Sequence, residues 1–235
     1  PGAAYGVIAG LFGLAFLIYT TFRPVSQVVR TKSKGVIPDL IEVVKVIRER
    51  PLLRVNLMFP AINALVLGGM VFIIPAFAKD IFEIGENGLG VMFAGVGIGA
   101  VAGAMTMSWT GGVRMAGPAL LVTDLLFGIF VIFWAHTSSL IVALPFAFLL
   151  GYFNSVHVAL GIAVIQFNVP AEVRGRVIGA YEIAWSGFPL GGLSSGSLAA
   201  IVGLRSALTI LALGLIFFTI VVASVSSRFR QSRIE

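Results

Sequence analysis

The chain has 235 residues, of which 58% are hydrophobic and 11% are charged, with a mean hydropathy of +1.04. A soluble domain carries about 25% charged residues, so this composition excludes a single soluble core and predicts an all-α membrane protein solvated by lipid. Because the sequence has no cysteine and two well-separated histidines, it holds no thiolate site and no histidine metal cluster, and we expect no cofactor.

Apolar runs predict where the chain crosses a membrane, since a helix needs about 20 residues to span the hydrocarbon core. Seven transmembrane helices are predicted, apolar nearly all round, unlike the helices of a bundle in water. In chain order they cover residues 5–22, 55–77, 88–107, 118–135, 140–165, 177–200 and 206–225. Because Pro1 lies close to the first run and no charged leader is present, we expect an upstream part of the protein to precede it.

The charged segment 24–54 between the first two spans contains a pattern typical of a short amphipathic helix. Its apolar residues recur at helical spacing, and Pro38 suits a first helical turn. The stripe consists of Ile37, Leu40, Ile41, Val44 and Ile47, whereas Asp39, Glu42, Lys45 and Glu49 lie away from it. The pattern predicts a linker helix on the inner membrane surface, and the alternative is a docking site for a regulator.

The basic residues predict the orientation of the spans. All but two of the 16 Lys and Arg residues lie in alternate connections, and the exceptions are Lys79 and Arg205. The positive-inside rule therefore places residues 23–54, 108–117 and 168–176 and the C-terminal tail in the cytoplasm, with the N-terminal end outside. This topology also accounts for the net charge of +6, so we expect no nucleic-acid partner.

A hydrophilic loop at 168–176 separates the fifth and sixth spans. Its central residues are Glu172, Arg174, Gly175 and Arg176, and a loop this short with two fixed positive charges stays on one membrane face.

Small residues follow the loop on the sixth span, and they indicate either close helix packing or a bend. The run holds Gly187, Pro189, Gly191 and Gly192, in which Gly187 pairs with Gly191 at helical spacing and Gly192 pairs with Gly196. A second small-residue face, predicted to pack statically, recurs every four residues on the third span at Gly95, Gly99 and Gly103.

The layout of the chain is one span, a charged connector, and six further spans followed by a basic tail. This layout resembles the sixth helix, central loop and C-terminal six-helix half of a major facilitator superfamily transporter. Within 166–196, the runs VPAEVRGRVIG and GFPLGG are similar to the enterobactin-exporter and macrolide-efflux branch. The resemblance divides the chain into a helix at 1–23, a linker at 24–54, a transporter half at 55–227 and a cytoplasmic tail at 228–235. It implies a preceding N-terminal half and a location in the plasma membrane, the bacterial inner membrane.

The resemblance implies a secondary active efflux permease. Such a permease would move a small hydrophobic or amphipathic molecule across the membrane by alternating access, with proton coupling. Two alternatives are a non-transporting receptor or scaffold with this fold and an intramembrane enzyme. The enzyme would need a nucleophile and base, or metal ligands, within the spans, and isolated acids with one histidine do not provide them.

Polar residues inside the spans are the candidate site residues, because such groups are costly in lipid. By resemblance the second and fifth spans line the central cavity, which makes Asn63, Asn154 and His157, together with Trp185, candidates for the substrate pathway. The alternative role for these residues is hydrogen bonding between helices.

Two acidic residues are candidates for proton or charge coupling. Glu182 shares a face with Ser186 and Pro189, and its alternative role is a fixed salt bridge to Arg174, to Arg176 or to a residue of the preceding half. Asp124 belongs to the fourth span, which by resemblance is an outer helix, and its alternative role is a structural pairing near the inner interface.

Overall fold

The structure is a computed structural model that describes residues 2–21, 35–110 and 116–226. The chain divides into two compact units, residues 1–33 and residues 34–235. The predicted tail at 228–235, the linker portion at 24–34 and the central part of the 108–117 loop lie outside the described residues.

Every regular element in the described ranges is an α-helix. The first unit holds α1 (Gly2–Thr21), whose described apolar stretch is Ile8–Thr21. The second unit holds α2 (Val36–Glu49), α3 (Pro51–Asp80), α4 (Gly85–Trp109), α5 (Ala116–Ala135), α6 (Leu140–Asn168), α7 (Ala171–Trp185), α8 (Phe188–Val202) and α9 (Leu204–Val225). Within the described residues, α3, α4, α5, α6 and α9 are each long and apolar enough to cross a membrane. The prediction of an all-α membrane protein is therefore confirmed.

The span predicted at 177–200 is interrupted near Pro189, where the sequence indicated a possible bend, and it consists of α7 and α8. The chain turns at Ser186, whose backbone N–H donates to the carbonyl of Ile183 at 3.0 Å. Pro189 then has no N–H to offer the carbonyl of Trp185, so the α-helical ladder is interrupted at this point. The two short helices α7 and α8 together make up the predicted sixth span.

Helix α3 is central to the second unit and packs against α7, α8 and α9, while α5 lies between α6 and α9. One hydrophobic core cluster surrounds Phe77 and Trp134, whose ring centroids are 4.7 Å apart. A second cluster, toward the start of α3, includes Leu53, Phe59 and Tyr181. All five of these side chains are fully buried, so aromatic rings fill both ends of the bundle.

Glycines bring α4 and α6 into backbone contact, as the predicted face of small residues requires. A side chain at Gly99 would meet the carbonyl of Phe148, and one at Gly151 would meet the carbonyl of Val96. Gly95 and Gly103 face α6 as well, so this packing role is confirmed.

Glycines also bring α3 and α8 together, although only part of the predicted set takes part. A side chain at Gly191 would meet the carbonyl of Leu65, and Gly192 lies against the ring of Phe72. A Cβ at Gly187 would find only ordinary van der Waals neighbours, and one at Gly196 would find no described atom within 4 Å. Gly191 and Gly192 therefore lie at the close approach of α3 and α8, whereas Gly196 does not.

Candidate functional site

Three polar side chains from three different helices meet inside the second unit. Asn63 of α3, Asp124 of α5 and His157 of α6 expose only 1%, 0% and 1% of their surfaces. The Asn63 side-chain amide donates to Asp124 Oδ1 at 3.0 Å and to the carbonyl of Phe59 at 3.2 Å. His157 Nδ1 lies 2.7 Å from the same Asp124 oxygen. We call these three residues the Asp124 cluster.

The Asp124 cluster is only partly satisfied by the described protein groups. The 2.7 Å contact between His157 and Asp124 has the distance of an ion pair but lacks the alignment of a hydrogen bond. Asp124 Oδ2 and His157 Nε2 have no hydrogen-bond partner among the described residues. A buried carboxylate is costly unless it is paired or protonated, so an aspartate and a histidine in contact form a place where a proton can be gained or lost.

Two aromatic rings enclose the histidine of this cluster. The ring of Phe59 stands edge-on to His157 with centroids 6.3 Å apart, and the ring of Trp185 stands edge-on at 6.0 Å. Trp185 is the last residue of α7 and directly precedes the interruption of the sixth span. The histidine therefore contacts the end of α7 at the interruption of the sixth span.

A second polar group, not anticipated from the sequence, lies between α3, α6 and α7. The Asn56 side-chain amide donates to the carbonyl of Gly161 at 3.0 Å, and the Tyr181 ring packs against Gly161. Asn56 and Tyr181 are both buried, and Asn56 Oδ1 and the Tyr181 hydroxyl have no hydrogen-bond partner among the described residues. The spacing of seven residues between Asn56 and Asn63 places them on one helix face and could have revealed Asn56, whereas nothing in the sequence distinguishes Tyr181.

Asn154 lies three residues before His157 but does not join the Asp124 cluster. It lines a cavity of about 60 Å³ between α3, α4 and α6, and its Oδ1 has no partner among the described residues. The rest of the wall is almost wholly apolar and includes Met70, Phe93 and Leu150. The cavity therefore offers one hydrogen-bond acceptor in an apolar surrounding.

Glu182 is exposed and lies apart from the Asp124 cluster, on the face it shares with Ser186 and Pro189. No hydrogen bond or ion pair joins it to another residue within the described ranges. The predicted alternative of a salt bridge to Arg174 or Arg176 is not formed. Arg174 donates instead to the carbonyl of Val169 at 3.3 Å, and Arg176 pairs with Glu42.

The predicted loop at 168–176 is largely helical, which corrects the sequence interpretation. Helix α6 extends to Asn168 and α7 begins at Ala171, so Val169 and Pro170 alone connect them. Glu172, Arg174, Gly175 and Arg176 consequently occupy the first turns of α7. Pro170 precedes the helix with an extended backbone, and a proline at this place suits a helix start.

The predicted amphipathic helix is confirmed as α2, but some of its apolar side chains pack against the bundle and others are exposed. Val43 is 4% exposed and packs into the second core cluster, whereas Ile37, Leu40 and Ile41 are exposed. Arg176 Nη1 lies 2.8 Å from Glu42 Oε2, which joins α7 to α2. The start of the sixth span is thereby connected to the segment that precedes α3.

Reversing one charge of the Glu42–Arg176 pair should weaken this connection slightly. Because both side chains are partly exposed, we expect Arg176→Glu to cost about 1 kcal/mol and lower the melting temperature by about 2–4 °C. Thermal unfolding of the purified protein in detergent measures the change. The double variant Glu42→Arg with Arg176→Glu should recover most of the loss, and a double variant no better than the single one would contradict the pairing.

A sequence model described as the Major Facilitator Superfamily matches residues 2–192. No curated protein matches the chain. The matched region covers most of the chain and contains the Asp124 cluster, the cavity at Asn154, the α2–α7 connection and the interruption between α7 and α8. These features are therefore placed within the region that the family model describes.

Proposed function

This chain belongs to the major facilitator superfamily of membrane transporters, and from that premise we propose that it exports a small hydrophobic or amphipathic molecule by proton-coupled alternating access. The protein is a multi-pass membrane protein. We place it in the plasma membrane, with the basic ends of its spans in the cytoplasm, on the strength of the Lys and Arg distribution.

The observation that carries the proposed coupling is the contact between Asp124 and His157. A carboxylate and an imidazole 2.7 Å apart, both buried, can hold one proton at one stage of the cycle and release it at another. The Asn63 amide donates to the carboxylate, which fixes the orientation of Asp124. We assign coupling to the Asp124 cluster rather than to Glu182, which is exposed and has no described partner.

The cavity at Asn154 supports the proposed substrate class. Its volume of about 60 Å³ accommodates a small part of a ligand, and its apolar wall favours a hydrophobic portion. The unpartnered Asn154 Oδ1 would accept a hydrogen bond from an N–H or O–H group of the ligand. We therefore keep Asn154 as the substrate-pathway residue and assign Asn63 and His157 to coupling.

The interruption of the sixth span supports the proposed motion. Helix α8 is held to α3 by the close approach at Gly68 and Gly191, whereas α7 is joined to α2 by Glu42 and Arg176. A bend at Ser186–Gly187 would let α7 change its tilt while α8 stays packed, and Trp185 would transmit that movement to His157.

Transport in reconstituted liposomes tests the coupling. The probe is a fluorescent amphipathic amine dye, measured as transport driven by an imposed pH gradient and as dye exchange without a gradient. We expect Asp124→Asn, which keeps the side-chain shape, to lower gradient-driven transport at least about tenfold, because the proton-binding carboxylate is lost.

The matched control is Asp80→Asn, which changes an exposed acid at the end of α3 and should behave as the unaltered protein. Gradient-driven transport that persists at full rate in Asp124→Asn would remove the cluster from the coupling mechanism. Transport by the unaltered protein that ignores the pH gradient would disprove proton coupling altogether.

A further inference from the structure

We propose that the Tyr181 hydroxyl passes protons between the Asp124–His157 pair and the basic end of the bundle, with Asn56 as the next polar group. The basic end is the one at which α3 begins, α6 ends and α7 begins. This inference rests on the proposed proton coupling and adds to it a route of access.

The positions along the helices place these groups in order toward the basic end. Gly161 follows His157 by one helical turn of α6, in the direction of Asn168. Asn56 precedes Asn63 by two turns of α3 and lies five residues, or about 8 Å, from Pro51. Asn56 and Gly161 are in contact through the 3.0 Å hydrogen bond, so both helices reach the same level. That level lies between the Asp124 cluster and the basic end.

Tyr181 occupies this intermediate level because its ring packs against Gly161. A side chain at Gly161 would overlap the ring, with the Cε2 and Cζ atoms only 2.9 Å from the added Cβ. Glycine is thus required here to admit the tyrosine. The Tyr181 side chain has no exposed surface, yet its hydroxyl lies in the electrostatic field of Asp124 and Glu182.

The hydroxyl has features that a purely structural tyrosine does not need. Trp185 approaches it, but no hydrogen bond of proper geometry is formed with any described group. A buried hydroxyl without a partner is unfavourable, and a phenylalanine at this position would avoid that cost. The neighbouring Asn56 Oδ1 is unpartnered as well. Asn56 Oδ1 and the Tyr181 hydroxyl are therefore two unpartnered polar atoms at the same level of the bundle. Both can form a hydrogen bond with a water molecule that carries a proton.

The transfer step conserves protons. The hydroxyl oxygen accepts a proton arriving from water on the basic side and releases its own proton toward the Asp124–His157 pair, through water where needed. Rotation about the C–O bond then restores the starting state, and the reverse sequence moves a proton outward. The titratable groups whose charges act on the Tyr181 hydroxyl are Asp124 of α5 and the exposed Glu182 of α7. His157 of α6 completes the pair with Asp124, and α3 contributes the neutral Asn56.

Tyr181→Phe in the full protein, reconstituted in liposomes, tests the proposal. We expect transport of the amphipathic amine dye driven by a pH gradient to fall about tenfold, because each cycle must load or release a proton. Dye exchange without net proton movement should stay within about twofold, because binding and alternation do not use the hydroxyl. The control is Tyr152→Phe, which changes a half-buried tyrosine on α6 away from the Asp124 cluster.

Asn56→Leu should show the same split between driven transport and exchange, and it provides the test if Tyr181→Phe lowers the yield of folded protein. Equal loss of both activities would show a structural role and overturn the proposal, as would unchanged gradient-driven transport. If Asp124→Asn abolishes gradient-driven transport and Tyr181→Phe does not, this inference fails while the proposed function stands. If the unaltered protein ignores the gradient, the proposed function itself fails.

Discussion

Gly151→Ala should destabilise the bundle by about 3 kcal/mol, even though alanine is the better helix former. The added Cβ would overlap the carbonyl of Val96, and the reciprocal contact of Gly99 with the carbonyl of Phe148 prevents α4 from simply sliding away. Only separation of the two helices relieves the overlap. In lipid that separation sacrifices the close packing that holds helices together.

The effect of Gly151→Ala can be measured as the melting temperature and the monodisperse fraction of the purified protein in detergent. The matched control is Gly97→Ala, since Gly97 is on α4 and a Cβ there would find no described atom within 4 Å. That control should leave the protein unchanged or stabilise it by up to about 1 kcal/mol through helix propensity. Equal melting temperatures for the two variants would show that the α4–α6 crossing is not tightly packed.

His157→Leu should cost about 3–5 kcal/mol, because it leaves Asp124 buried with the Asn63 amide alone. Removal of one partner of a buried pair is more harmful than replacement of both, since the remaining charge has neither water nor a counter-group. The double variant Asp124→Leu with His157→Leu should therefore be more stable than His157→Leu alone.

Thermal unfolding of the single and double variants in detergent measures this coupling as a double-mutant cycle. The control is His136→Leu, which changes an exposed histidine at the end of α5. If the losses of unfolding free energy in the two single variants simply add in the double variant, the contact between Asp124 and His157 contributes nothing to stability.

Hydropathy predicted most spans of this fold because lipid selects long apolar runs whatever their neighbours are. The same property hides helix ends, so α6 extends through Asn168 and takes in part of the predicted loop. Hydropathy also hides interruptions, and α7 and α8 together looked like one span. Pro189 did indicate a bend, but a proline alone does not distinguish a bent helix from two separate ones.

The sequence identified the residues of the Asp124 cluster as candidates but did not predict that they contact one another. Asn63 and His157 were recognised as costly polar groups inside spans, and Asp124 was assigned a separate place on an outer helix. Their meeting depends on the rotation of α5 about its axis, which is set by packing such as Gly128 against Ile216 of α9. A contact of this kind joins distant parts of the sequence and has no local pattern.

The interruption of the sixth span also constrains how the protein is made. Helices α7 and α8 have 15 residues each, or about 22 Å, so neither can cross a hydrocarbon core of about 30 Å alone. Both must enter the membrane during synthesis as one segment. The glycine contact that seats α8 joins it to Leu65, which was synthesised more than a hundred residues earlier. Helix α3 therefore stays incompletely packed until α8 has been synthesised, and the bundle cannot close before then.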